Sequence, residues 1–308
     1  MTEREGFKMD KKKALVLVNQ KAGTGKAVDG LMNIVTRLTY EGYEPIVYPV
    51  IPYTEFVSEN FLVEYDGKIQ LVVCSGGDGT LNHVVQGVMQ MKQNPTVGYI
   101  PTGSTNDFAR SLHIPTDFDK ALDIIVSGRP FTYDVGKMNG KYFNYVVAFG
   151  AFSAISYATK QELKNVFGHA AYILSGIGEF YQNINYSCHM KIETDGEIHE
   201  GDYVFGAVCN STSIGGMRFL DSADVSLNDG KMELILIPTP KNLQVLSAVL
   251  FDLKNNVANS KYIIYKTVTD IKFISDEHTA WSLDGEFGGK SNVTEIRIVP
   301  DAITIMTE

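Results

Sequence analysis

Residues 69–89 read "IQLVVCSGGDGTLNHVVQGVM", and the punctuation of this stretch decides the fold. The run "IQLVVCS" is almost continuously apolar, as expected of a strand covered on both faces of a parallel sheet. Leu81, Val84, Val85, Val88 and Met89 then recur at helical spacing. Between the two lies Ser75-Gly76-Gly77-Asp78-Gly79-Thr80. Glycines let a backbone approach a phosphate chain, and a helix N-terminus offers free N–H groups and the positive end of its dipole. An aspartate in such a loop repels phosphate unless Mg²⁺ stands between them, held by one or two carboxylates, phosphate oxygens and water. Taken alone, the simpler reading is a turn in which Asp78 caps its helix.

Working outward, the same construction repeats. "KALVLVN" precedes a segment with Val28, Leu31, Met32, Val35 and Leu38 at helical spacing. "EPIVYPVI" and "TVGYI" read as further strands, and a helix opens near Asn106. Strands alternating with helices predict an open parallel sheet with its ligand at the carboxyl ends of the strands. After "TVGYI" comes Pro101-Thr102-Gly103-Ser104-Thr105-Asn106-Asp107, again a glycine, hydroxyls and a carboxylate before a helix. Asp134 is a third acid at a strand end. The repetition favours convergence on one metal over a set of unrelated caps. The first strand runs into "NQKAGTGKA" (19–27), which is not a Walker loop: Gln20 stands where its first glycine belongs, and Ala27 where its hydroxyl belongs.

From about Tyr133 the texture changes to hairpins. Asn139-Gly140 and Asp195-Gly196 each separate two strand-like runs. "KMELILI", "YIIYKTVTDIKFIS" and "TEIRIV" read as more strands, with helices expected over Gln161–Ile184 and in "NLQVLSAVLFDL". The uncharged span Tyr142–Thr159 reads as a buried strand entering a helix, because Asn144, Gly150, Ser153 and Ser156 interrupt it. The expected fold is thus an α/β nucleotide-binding domain over 1–133, rejoined by the tail 300–308. A mostly antiparallel β-sandwich is expected over 134–299.

With 308 residues, 44% of them hydrophobic, there is room for two cores. A net charge of -9 argues against a nucleic-acid partner, which calls for a basic face. Lys11-Lys12-Lys13 is the tight basic cluster, and a solvated lead-in to the first strand is the plainer account of it. Cys74, Cys188 and Cys209 form no C-x-x-C pair, which suggests a reducing compartment and no zinc. No apolar leader opens the sequence, so a cytoplasmic protein is expected.

Taken together, "NQKAGTGKA", "GGDGTLNHV", "PTGSTNDFAR", "DVGKMNGKYF" and "LDGE" (283–286) resemble, in order and over nearly the whole chain, the diacylglycerol kinase catalytic-domain superfamily. The resemblance implies a soluble bacterial lipid kinase that uses ATP and Mg²⁺. Asn19, Lys21 and Gly23 would lie against nucleotide. Ser75, Gly76, Gly77, Asp78, Gly79, Thr80 and Leu81 would hold phosphates, helped by Ser104 and Thr105. Asp78, Asp107 and Asp134 match an aspartate network that organises Mg²⁺ through water. Glu286 or Asp284 matches the general base, Glu286 being favoured. Ser226, Asp229 and Lys231 match a second, structural Mg²⁺ loop. The sequence departs from the family pattern at Gln20, Ala22, Val50 and Asp221.

The implied reaction moves the ATP γ-phosphate to a lipid hydroxyl, with diacylglycerol the leading acceptor and phosphatidic acid the product. Alternatives are another lipid alcohol (sphingoid or monoacylglycerol), NAD, or a non-catalytic sensor of lipid or nucleotide. "STNDFA" occupies the second loop where NAD kinases carry an Asn-Glu pair, and no catalytic acid is missing, as a sensor would predict. Residues 149–157 and the apolar face of the 163–180 helix are candidate walls for a lipid pocket. Transient, peripheral membrane association and a homodimer complete the expectations.

Overall fold

The computed structural model describes residues 12–22, 26–50, 58–150, 187–214, 217–218, 225–255 and 257–308. Lys11, Gly23, Asp221, residues 151–157 and the Gln161–Ile184 helix lie outside the described residues.

β1 (Lys12–Asn19), β2 (Tyr43–Val50), β3 (Leu71–Gly76) and β4 (Thr96–Pro101) are parallel and adjacent in the order β2-β1-β3-β4. β3 is buried at every position, as its unbroken apolar run requires. β2 is the edge, where Pro45 and Pro49 remove no essential ladder bond. Helices α1 (Lys26–Asp29), α2 (Leu31–Tyr40), α3 (Ser58–Val63), α4 (Asp78–Val88), α5 (Asp107–Ser111) and α6 (Phe118–Ser127) connect and cover these strands.

α4 buries Leu81, Val84, Val85 and Val88 as the spacing predicts. The first helical segment differs from its expected phase. It breaks at Gly30, where a Cβ would fall 2.0 Å from the Phe118 ring, and α2 then buries Ile34 and Leu38. Val28 and Met32, expected on the buried face, are exposed.

The second half is antiparallel. It comprises β5 (Arg129–Met138), β6 (Lys141–Phe143), β7 (Val146–Gly150), β8 (Cys188–Thr194), β9 (Glu197–Cys209), β10 (Ser213–Ile214), β11 (Met217–Arg218) and β12 (Met232–Pro238). Helix α7 (Leu243–Asn255), β13 (Ile264–Val268), β14 (Asp270–Leu283) and β15 (Glu286–Thr307) follow. The change of texture at Tyr133 falls inside β5. The run "YIIYKTVTDIKFIS" is not one strand: β13 pairs with β12, whereas β14 pairs with β15, β7 and β8.

Asn139-Gly140 (φ 45° and 95°) and Asp195-Gly196 (45° and 82°) are two-residue hairpin turns, as expected. Asp284-Gly285 (47° and 85°) is a third of the same kind, joining β14 to β15. Phe149, Phe273 and Trp281 pack edge to face, with centroids 5.0–5.8 Å apart, in a core on this half. Trp281 is therefore a packing residue. Phe149 is fully buried in the same cluster, so it does not open into a lipid pocket.

β15 binds the two halves together. Its 22 residues pair with β14 and β5, and Ile305 lies beside Val97 of β4.

Candidate active site

Three loops meet at the carboxyl ends of the parallel strands. Asn19, at the end of β1, donates from Nδ2 to Thr80 Oγ1 (2.9 Å) and accepts at Oδ1 from the Lys21 N–H (3.0 Å). The first loop is thereby tied to the start of α4. The loops after β3 and β4 touch backbone to backbone: a Cβ on Gly103 would fall 2.6 Å from Gly77 Cα. Thr102 N–H also donates to Gly76 O (2.9 Å). Glycine is needed here for close approach rather than for a left-handed φ. Thr80 and Leu81 are buried against the sheet, Ser104 is exposed and Thr105 half-buried. The Ser75 and Thr102 hydroxyls are buried without a hydrogen-bond partner.

Asp78 does not cap its own helix. Its carboxylate accepts from the N–H groups of Asp107 (3.1 Å) and Phe108 (3.3 Å), and so caps α5. The turn before α5 is set by Asn106, which is left-handed (φ 52°) and exchanges hydrogen bonds with Gly103 N–H and C=O (3.0 and 2.9 Å). Burial, then the neighbouring Asp107 charge, push the Asp78 carboxyl up to about 6, against the pull of those two N–H donors; the Asp284 charge adds to the rise. Two carboxylates crowd here, Asp78 and the buried Asp107.

Asp284 and Glu286 have different surroundings. Asp284 is buried, and its carboxylate accepts from the N–H groups of Asn144 (2.7 Å), Tyr145 (3.0 Å) and Val146 (3.0 Å) and from Asn82 Nδ2 (2.6 Å). Burial raises its pKa, while these donors oppose the rise. It is the pin of the β14–β15 turn, tying that turn to α4. Glu286, two residues on, is exposed, and its Oε1 lies so close to Gly79 that a Cβ there would be 2.5 Å away. A free carboxylate thus stands over the first turn of α4, where unpaired N–H groups and the helix dipole favour phosphate.

Asp134 is fully buried on β5. Its carboxylate accepts from Gly230 N–H (2.7 Å) and Asp301 N–H (2.8 Å), joining β5 to the 226–231 loop and to the irregularity in β15. The acids whose charges act on Asp78 are Asp107 and Asp284. In the 226–231 loop, Ser226 Oγ donates to Asn228 Oδ1 (3.1 Å) and Asp229 Oδ1 accepts from Lys231 N–H (3.1 Å). Among the described residues no three His, Cys, Asp or Glu side chains are grouped to hold a metal. Sites built on one or two carboxylates plus carbonyls, water and phosphate remain compatible with that.

Sequence reading missed Asn82, Gln86 and Asn144. Gln86 Nε2 donates to Tyr142 O and its Oε1 accepts from Tyr142 N–H (3.1 Å), and Asn144 Oδ1 accepts from Tyr133 OH (2.9 Å). Asn82 and Gln86 follow Asp78 at steps of four along α4, so one helix face carries all three. That periodicity was available.

A family model described as the diacylglycerol kinase catalytic domain matches residues 13–138. A second, the YegS C-terminal NAD kinase beta sandwich-like domain, matches residues 145–307. The diacylglycerol kinase of Bacillus subtilis (strain 168) is 32% identical over 282 residues, covering 90% of this chain and 91% of the relative. The chain belongs to the diacylglycerol kinase family. The diacylglycerol kinase of Staphylococcus carnosus (strain TM300) is 30% identical over 280 residues, with 91% and 90% covered. A crystal structure of a diacylglycerol kinase from Bacillus anthracis str. Sterne superposes with a TM-score of 0.79 at 24% identity, covering 98% of this chain and 99% of that one, and speaks to the fold alone. A kinase family implies a nucleotide donor and typically a divalent metal. The residues fit both: facing glycine loops at a helix N-terminus, unpartnered Ser75 and Thr102 hydroxyls, and paired Asp78 and Asp107.

Proposed function

We propose that the chain is an ATP- and Mg²⁺-dependent lipid kinase that phosphorylates diacylglycerol to phosphatidic acid. The observation that carries this reading is Glu286 Oε1 against Gly79, a free carboxylate beside the phosphate-binding helix start. The names of the relatives support diacylglycerol as the acceptor.

In this reading Glu286 takes the proton of the attacking hydroxyl, a contribution of typically ~10²–10⁴ in rate. Asp284 acts through Glu286: its buried hydrogen bonds hold the turn on which Glu286 stands. The N–H groups at the start of α4 and the Gly77–Gly103 contact receive the phosphate chain, with Asn19 and Lys21 alongside. Asp78 and Asp107 would hold Mg²⁺, and Asp229 with the Ser226 and Lys231 carbonyls a second, structural ion. When bound, Mg²⁺ neutralises charge on the transferring phosphoryl group. Among the described residues no helix is long and apolar enough to cross a membrane. Peripheral, transient contact with the bilayer that carries the substrate is therefore part of the proposal, with exposed Lys12 and Lys13 one basic contact.

The test is transfer of labelled phosphate from Mg-ATP to dispersed diacylglycerol, beside a panel of other lipid alcohols. Phosphatidic acid is expected from the wild type and is lost in Glu286→Gln. Turnover of a different lipid changes the acceptor. Silence on every lipid with ATP still bound overturns the reading.

A further inference from the structure

Among the described strands β6 pairs with β5 alone, so the backbone groups on its other edge need partners from elsewhere. At Tyr142 the partner is a side chain. Gln86 accepts at Oε1 from Tyr142 N–H (3.1 Å) and donates from Nε2 to Tyr142 O. A carboxamide carries an acceptor and a donor in one planar group, so Gln86 completes the edge of β6 much as a neighbouring strand would. Gln86 is buried, on a helix whose other buried residues include Leu81, Val84, Val85 and Val88. Asn82, one turn earlier, donates from Nδ2 to Asp284 Oδ2 (2.6 Å) and to Tyr142 O (3.4 Å), and its Oδ1 accepts from Gln86 Nε2 (3.4 Å). A buried polar network whose members are all satisfied specifies one arrangement of the elements it joins.

Two residues beyond Tyr142 begins the seat of the β14–β15 turn, the three N–H groups of residues 144–146 that receive the Asp284 carboxylate. Asp284 N–H returns a bond to Val146 O (2.8 Å), so turn and seat move as one piece. That piece is tied to α4 at two points, Asn82 to Asp284 and Gln86 to Tyr142. A single tie would leave it free to pivot about Asn82. The second tie lies one turn further, about 6 Å along the helix axis, and removes the pivot. We infer that Gln86 is a positioning residue for Glu286: by clamping Tyr142 to α4 it fixes the seat of the β14–β15 turn and hence the height of the Glu286 carboxylate over the first turn of that helix. This rests on the reading of Glu286 as the base. Gln86 acts at a distance, since its side-chain hydrogen bonds go to Tyr142 and Asn82 and not to Asp284 or Glu286.

The experiment compares wild type, Gln86→Met, Glu286→Gln and the double variant, all as full chains. Gln86→Met keeps the length and the helix preference and removes both bonds to Tyr142. Native-state hydrogen exchange is read first, because it needs no substrate. Protection of the 144–146 amides should fall roughly tenfold, as for a lost buried hydrogen bond, and by more than that of the β3 amides, which report global opening. Turnover of dispersed diacylglycerol is read second: kcat should fall at least ~10-fold with the KM for ATP unchanged, as for a misplaced reacting group. In the Glu286→Gln background, measured by single turnover at high enzyme concentration, Gln86→Met should cost almost nothing further. Unchanged protection at 144–146 overturns the inference whatever the acceptor lipid. Lost protection with a wild-type kcat also overturns it and makes Gln86 a stabilising residue only, as does an equal loss of rate in both backgrounds. Wild-type turnover by Glu286→Gln alone overturns the reading of the base, and the inference with it. If Gln86→Met fails to fold, Gln86→Glu carries the same comparison, keeping the acceptor and losing the donor; wild-type protection and rate there refute the assignment.

Discussion

Gly79→Ala separates the stability of this fold from its chemistry. The new methyl would lie 2.5 Å from Glu286 Oε1. An ordinary contact needs about 3.5 Å, so the carboxylate has to retreat by about 1 Å. Gly79 is the second residue of α4 and has no positive φ, so alanine fits the backbone and should add up to about 1 kcal/mol of helix stability. A displacement of that size at a reacting group can cost ~10² in rate, or about 2.7 kcal/mol of transition-state stabilisation. The variant should therefore be at least as resistant to urea as the wild type and roughly a hundredfold slower in phosphorylating dispersed diacylglycerol, with the KM for ATP little changed. In a Glu286→Gln background the same substitution should do almost nothing further, because its effect runs through Glu286. A wild-type rate in the single variant, or an undiminished further loss in the double variant, would refute the placement of the base.

Other outcomes follow from the same geometry. In metal-free protein Asp78 holds its proton to about pH 6 when folded but releases it near 3.8 when unfolded, so stability should fall as pH rises through that window. The loss should be at most roughly 3 kcal/mol; Asp78→Asn or saturating Mg²⁺ should flatten the profile, and a flat wild-type profile in chelator contradicts it. Asp284→Ala strands the N–H groups of Asn144, Tyr145 and Val146 and the Asn82 amide. At about 1–3 kcal/mol per orphaned group, its loss in urea unfolding should exceed that of exposed Glu286→Ala, which should stay within about 0.5 kcal/mol; equal losses would argue against the split of roles. Gly103→Ala places a methyl 2.6 Å from Gly77 Cα and should raise the KM for ATP by forcing the two loops apart; an unchanged KM counts against their shared use. Reversing Lys12 and Lys13 to Glu should weaken binding to anionic vesicles, each Lys contributing about 1 kcal/mol near such a surface; no change in co-sedimentation removes this patch from the docking face.

What could be read from the sequence was what is local. Continuous apolar runs mark β1, β3 and β4, and Asn139-Gly140 and Asp195-Gly196 mark their turns by side-chain preference alone. Asp284-Gly285 carries the same turn signature, but the burial of its acid depends on partners distant in sequence, Asn82 and Asn144. The phase of α2 is not a local property, because the Phe118 ring, far along the chain, packs against Gly30 where the helix breaks. Asn82 meets Asp284 across 202 positions, and Asp134 meets Asp301 across 167. Such pairings exist only once strand order is known, and no window of sequence contains them.

The placement of β15 has a consequence for the life of the chain on the ribosome. The strand that carries the proposed base also stitches β4 to β14 and closes over β5. Until those residues have emerged, the phosphate loops have no base above them, and β4 and β5 keep edges that this strand will cover. A nascent polypeptide short of Glu286 thus lacks the proposed base and cannot shield its open sheet. Contacts of such long sequence separation also form slowly. The enzyme's activity should therefore switch on late and all at once, and its unfinished chains should depend on chaperones that hold exposed strands.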